Sequence, residues 1–186
     1  MKLTYLVATV IVLSLLAISG CSKSNNPTAP SAPQPRNLII NSSFDSAGRP
    51  SLEGWTADTN DTTLVGFSSD VPPGGGAYSV YLKTTEIMTA VTLPAGTHHY
   101  RLSAWAKVIF PSGSSSTYGG AMTLLYPGSP PGDGKSYLFS SSVWTYGSFL
   151  DTLTLSQDTP LHIYLVCGVQ SVDHVLFNLC TFEVLD

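Results

Sequence analysis

The stretch Tyr100-Arg101-Leu102-Ser103-Ala104-Trp105-Ala106-Lys107 decides the fold. Tyr100, Leu102, Ala104 and Ala106 stand at every second position, the period of a β-strand with one buried face. A helix needs apolar residues three and four apart, and from Asn37 onward no window sustains that spacing. The alternation returns at Tyr78, Val80 and Leu82, and again at Leu161, Ile163 and Leu165. Working outward, β-prone runs cover Leu38–Asn41, Thr63–Phe67, Ala77–Lys83, Met88–Leu93, His99–Ile109, Ala121–Tyr126, Val143–Leu155, Leu161–Cys167 and Val175–Leu185. Pro/Gly clusters separate them, as at Pro72–Gly76, Pro94–Gly96 and Pro127–Gly132. Short strands punctuated in this way predict one all-β domain, an antiparallel sandwich or barrel.

Composition narrows the function. Only 11% of the 186 residues are charged, against about 25% in an average soluble protein. Residues 37–186 hold 5 Lys/Arg against 12 Asp/Glu, a net −7, with no basic cluster. Such a surface repels phosphate backbones, so nucleic acid is excluded as a partner. A coiled coil is excluded as well, for want of Glu, Lys and Arg.

The chain begins with Met1-Lys2 and an uncharged apolar run from Leu3 to Gly20, the pattern of an export signal over 1–20. An uncleaved membrane anchor is the other reading of such a run. Its end, Ile18-Ser19-Gly20-Cys21, resembles the bacterial lipobox. That resemblance implies cleavage before Cys21, acylation of its thiol, and attachment to the membrane through the N-terminal lipid. Ser22 after the Cys implies the outer membrane of the cell envelope. Residues 21–36 then read as the lipidated Cys and a linker, whose Pro27, Pro30, Pro33 and Pro35 block helix and sheet. A polyproline-like tether of this length reaches about 45 Å.

In the folded part, Asn37-Leu38-Ile39-Ile40-Asn41-Ser42-Ser43-Phe44-Asp45 followed by Gly54-Trp55 resembles the opening of galactose-binding-like jelly rolls. More narrowly it is similar to the CenC-type carbohydrate-binding modules appended to bacterial cellulases and xylanases. Tyr100–Lys107 matches their "YxLSxWxK" strand, and Leu176–Phe182 sits where they carry their closing strand. The resemblance implies an antiparallel β-sandwich of jelly-roll type over 37–186 that binds a poly- or oligosaccharide. Asp45 stands where that family has Glu, and Asn178 where it has Asp.

Many such jelly rolls hold a structural Ca²⁺ between first and last strands. The resemblance assigns Asp45 and Asn178 as side-chain ligands, with carbonyls from Ser43 and the loop near Gly76. The loss of one formal charge weakens the attraction. The alternative is that Asp45 caps a turn and Asn178 satisfies backbone groups. Sugar binding needs aromatic faces, and 37–186 holds 18 aromatic residues. The motifs assign Trp55 and Trp105 to the core, and Trp144 to core or edge. That leaves Tyr118, Tyr126, Tyr137 and Tyr146 as candidate ligand contacts.

No nucleophile elbow, no H-E-x-x-H and no phosphate loop occurs, so no catalytic residue is assigned. Adjacent His98 and His99 would diverge on a strand, a poor chelate. Cys167 and Cys180 either form a disulfide or stay as buried thiols. Together these readings predict a lipid-anchored envelope protein with a non-catalytic glycan-binding domain. The alternative is a scaffold or adhesion lipoprotein that uses the same fold for protein contacts.

Overall fold

The computed structural model describes residues 35–112, 119–126, 134–168 and 172–186, all within one compact unit from Pro35 to Asp186. Cys21, the export segment and Tyr118 lie outside the described residues. Every regular element described is a β-strand, and the strands are numbered in chain order. One sheet holds β1 (Arg36–Asn37), β5 (Val65–Ser68), β6 (Ser79–Leu82), β8 (Gly96–Ile109), β11 (Thr145–Leu155) and β13 (His174–Val184). Its order is β11-β8-β13-β6-β5, with β1 also on β13. The second sheet holds β4 (Thr56–Ala57), β7 (Glu86–Leu93), β9 (Gly120–Leu125), β10 (Lys135–Phe139) and β12 (Thr159–Val166), in the order β10-β9-β12-β7-β4. A small hairpin joins β2 (Asp45–Ser46) to β3 (Arg49–Pro50).

All pairs are antiparallel. From β6 onward the chain keeps crossing between the sheets: β7 joins the five-stranded one, β8 the six-stranded one, β9 and β10 the former, and β11, β12 and β13 alternate. This is an antiparallel sandwich, one of the two forms the alternation predicts, and it has the jelly-roll form the resemblance implies.

The core is what the period-two pattern places between the sheets. Tyr100, Leu102, Ala104, Ala106 and Val108 of β8 are buried, facing Leu161, Ile163 and Leu165 of β12 and Met122 and Leu124 of β9 in one apolar cluster. Tyr100 stacks on Phe182 at 5.1 Å between ring centroids, and Phe139 meets Phe177 edge-on at 5.9 Å. In β13 the inward side changes parity. Val175 and Phe177 pair with Val108 and Ala106, whereas Phe182 and Val184 pair with Leu102 and Tyr100. The extra residue is a β-bulge between Asn178 and Thr181, where Leu179 takes a positive φ of 49°.

Several expectations need correction. Leu38–Asn41 is not a strand: after Asn37 the chain turns, with Asn41 at φ 53° and Phe44 at φ 57°. A run of apolar residues there reads as β, yet Ile39 and Phe44 are instead pinned singly into the core. β10 went unread because its five residues directly follow the Pro/Gly-rich segment. Trp55 is in the core, buried against Phe44 at 5.2 Å. Trp105 is not. Its neighbours Ala104 and Ala106 point inward, so its indole lies on the outer side of the six-stranded sheet.

Cys167 follows β12 and Cys180 lies in the bulge of β13, so they belong to opposite sheets. Both are buried, and no disulfide joins them. Burial in this apolar setting pushes the Cys180 thiol far above its usual pKa.

Candidate functional site

The two outer faces differ in kind. On the six-stranded sheet the outward residues of β8 are already partnered. Arg101 forms an ion pair with Glu183, and Ser103 shares a 2.7 Å hydrogen bond with Thr181. Lys107 donates to Asp70 at 2.6 Å, and the Trp144 indole N–H donates to the other Asp70 oxygen at 2.8 Å. The Lys107 and Trp144 bonds hold the Asp70 carboxyl below its ordinary pKa. Trp105 packs against Tyr146 at 5.7 Å with the rings tilted by 58°. Tyr81 lies so close over Gly66 that no Cβ would fit there. The outward β8 side chains are thus satisfied by their neighbours, while Tyr146 and Leu150 of β11 stay exposed on the same face.

The five-stranded sheet presents a free face. Its inward residues are Leu161, Ile163 and Leu165 of β12 and Ile87, Val91 and Leu93 of β7. By alternation, His162, Tyr164 and Val166 of β12 and Glu86, Met88 and Ala90 of β7 point out. The register carries one row across all five strands: Ser136, Thr123, Tyr164, Met88 and Thr56 are successive Cα partners. Four strand spacings make that row about 19 Å long. At its centre is a partly exposed tyrosine beside a methionine, with hydroxyls at both ends. The Thr123 and Ser136 hydroxyls are 2.8 Å apart. His162 stands 6.5 Å from Tyr164 on the same strand face.

Two hollows flank the Met88–Thr56 end. One, about 210 Å³, is lined by Thr56, Ala57, Asp58, Glu86, Met88 and Tyr164. The other, about 460 Å³, shares Thr56 and Met88 and continues over Trp55 and Ala90 to the exposed Ile40. Burial, and then the neighbouring Asp58, raise the Glu86 pKa above the usual carboxylate value. Asp58 itself accepts a hydrogen bond from Thr85. An aromatic ring, a thioether, threonine hydroxyls and carboxylate acceptors on an open sheet can grip a polyhydroxylated ring by stacking and hydrogen bonds.

Of the tyrosines singled out from the sequence, the three described ones do not converge. Tyr126 follows β9 and borders a separate hollow with Thr154, Gln157 and Asp158. Tyr137 points inward, its ring tilted against Phe139 at 4.9 Å and packed over Gly147. Tyr146 is on the other sheet's outer face, 44% exposed. Tyr118 lies outside the described residues. Sequence reasoning passed over Tyr164, although the signal was present: it alternates with the inward Leu161, Ile163 and Leu165.

Asp45 and Asn178 do come near each other through the loop at Gly76. The Asp45 Oδ1 accepts the Gly48 N–H at 2.8 Å, and its Oδ2 accepts the Ala77 N–H at 2.9 Å. A Cβ on Gly76 would lie 3.2 Å from the Asp45 Cβ. Asn178 is fully buried and turns its amide nitrogen, not its oxygen, toward the carbonyls of Ser43 and Tyr78. Calcium takes oxygen ligands, and in this orientation the amide presents its nitrogen to those carbonyls while its Oδ1 has no hydrogen-bond partner. Among the described residues no group of three or more His, Cys, Asp or Glu is placed to hold a metal ion.

No family model and no curated protein matches the sequence. Solved structures do. A family 16 carbohydrate-binding module aligns with a TM-score of 0.54 at 19% identity, over 78% of this chain and 99% of the module. The C-terminal family 22 carbohydrate-binding module of a Clostridium thermocellum protein aligns with a TM-score of 0.53 at 15% identity, over 82% of this chain and 97% of the module. The enzymatically active domain of bacteriophage CBA120 tailspike protein 4 aligns with a TM-score of 0.55 at 15% identity. The alignment takes in 80% of this chain but only 21% of the tailspike chain. At these identities the likeness is one of fold, and the fold of residues 35–186 is the jelly-roll sandwich of the carbohydrate-binding modules.

Proposed function

We propose that this domain binds a neutral oligo- or polysaccharide, without catalysis, on the outer face of its five-stranded sheet. The observation that carries the reading is the row Ser136–Thr123–Tyr164–Met88–Thr56, continuous across every strand of that sheet. Tyr164 offers a ring for stacking on a pyranose face, and Met88 extends the apolar floor. Thr123, Ser136 and Thr56 exchange hydrogen bonds with sugar hydroxyls, while Glu86 and Asp58 accept them. The acidic pair, on a domain of net charge −7, favours uncharged glycans over uronates or phosphorylated polymers. The likeness to carbohydrate-binding modules supports the same conclusion. We further propose that the chain is held at the bacterial envelope by lipid on Cys21, which the lipobox-like Ile18–Cys21 supports.

A glycan array and polysaccharide pull-down with residues 35–186 tests the binding. Tyr164→Ala should lower affinity for the retained glycan about tenfold or more, while Tyr146→Ala on the opposite face should leave it within about twofold. Uniform failure to retain any glycan would favour the scaffold role instead.

Glu86 should act on stability and binding in opposite directions. Its pKa is raised by folding, so its favourable contribution is complete below the ordinary value of 4.5 and is lost as pH rises through the raised one. Glu86→Gln should therefore raise Tm at pH 7, leave it unchanged near about pH 3.5, and weaken glycan binding. A lower Tm at pH 7 would refute the assignment.

For the anchor, Cys21→Ser should abolish acyl labelling and move the protein out of the membrane fraction. Retained labelling would remove the lipid from the account.

A further inference from the structure

Where β13 bulges, three backbone carbonyls from the first turn and the Pro72–Gly76 side of the molecule point at the last strand. That of Ser42 accepts the Cys180 N–H at 3.0 Å. Those of Ser43 and Tyr78 both face the Asn178 side-chain nitrogen, at 3.4 and 2.6 Å. Carbonyl dipoles aimed at one point repel unless a positive partner lies between them. A divalent cation is one such partner, and the NH₂ of a primary amide is another.

We propose that the Asn178 amide takes the place of a cation, cross-linking the Ser43 and Tyr78 carbonyls so that the first turn, the glycine loop and the last strand close without metal. Three features support this. Asn178 is fully buried, so its two N–H donors meet no competing solvent. Its Oδ1 has no hydrogen-bond partner and faces Gly75, where a Cβ would come within 3.2 Å. With the nitrogen spent on the Ser43 and Tyr78 carbonyls, the oxygen is the atom left unpartnered. Asp45 is occupied as well, each oxygen accepting a backbone N–H, from Gly48 and Ala77. Turning the amide over would bring its oxygen against the Tyr78 carbonyl with nothing positive between them.

The cage itself remains shaped for a cation, and a carboxylate in place of the amide should expose that. Melting of the whole protein in about 5 mM CaCl₂ and in EDTA should give the same Tm within about 1 °C. By NMR the Asn178 side-chain NH₂ protons should exchange slowly with solvent. Asn178→Asp removes both donors and sets an anion against carbonyls; it should lower Tm by about 5 °C or more without metal, and CaCl₂ should restore most of the loss. A wild-type Tm that rises with CaCl₂ and falls with EDTA would overturn the proposal. So would rapid exchange of the Asn178 NH₂ protons, or an Asn178→Asp chain that calcium neither folds nor stabilises.

Discussion

β8 runs for fourteen residues, bonded along one edge to β11 and along the other to β13, and its alternation decides which side chains can reach solvent. Tyr100, Leu102, Ala104, Ala106 and Val108 are committed to the core. Arg101, Ser103, Trp105 and Lys107 must then face outward, in the middle of a sheet flanked on both sides. A strand in that position can carry charge only if its neighbours answer it, and they do: Glu183 and Thr181 from β13, Asp70 from the loop after β5, Tyr146 from β11. The pairing that builds the core therefore also sets the partners of these β8 side chains.

The consequence falls on the other sheet. Its strands share the same core, but its outward side chains find few partners among themselves. Tyr164 and Met88 are adjacent across β12 and β7, the hydroxyls of Thr123 and Ser136 meet each other, and Glu86 faces Asp58 at a cost. Asp58 is held by the Thr85 hydroxyl, and beside it Glu86 is a partly buried acceptor on this face. Under the proposed function the six-stranded sheet is the back of the domain and the five-stranded sheet its binding face.

How much of this could be read from the chain depends on whether local pattern or distant register carries the feature. Period two in Tyr100–Lys107, Tyr78–Leu82 and Leu161–Leu165 was enough for strands and for a sandwich, because burial on one face writes itself into sequence. Trp105 misled for a related reason: a tryptophan inside a motif invites a core assignment, but its parity with Arg101 and Lys107 already excluded it. The row across the five-stranded sheet was not legible. Tyr164, Thr123, Met88 and Thr56 come from four strands spread over more than a hundred residues, and only cross-strand register brings them into line. Asn178 was legible as a departure from Asp, but the direction of its amide depends on carbonyls from Ser43 and Tyr78 that no local pattern announces.

The central claim is that the five-stranded sheet binds and the six-stranded sheet does not. Amide chemical-shift mapping of residues 35–186, titrated with the oligosaccharide form of whichever glycan the domain retains, tests it most directly. The account predicts perturbations concentrated at Met88, Thr123, His162 and Tyr164 and at the Thr56–Asp58 edge, with Arg101, Trp105 and Tyr146 unmoved. Shifts gathered on Trp105, Trp144 and Tyr146 instead would contradict it.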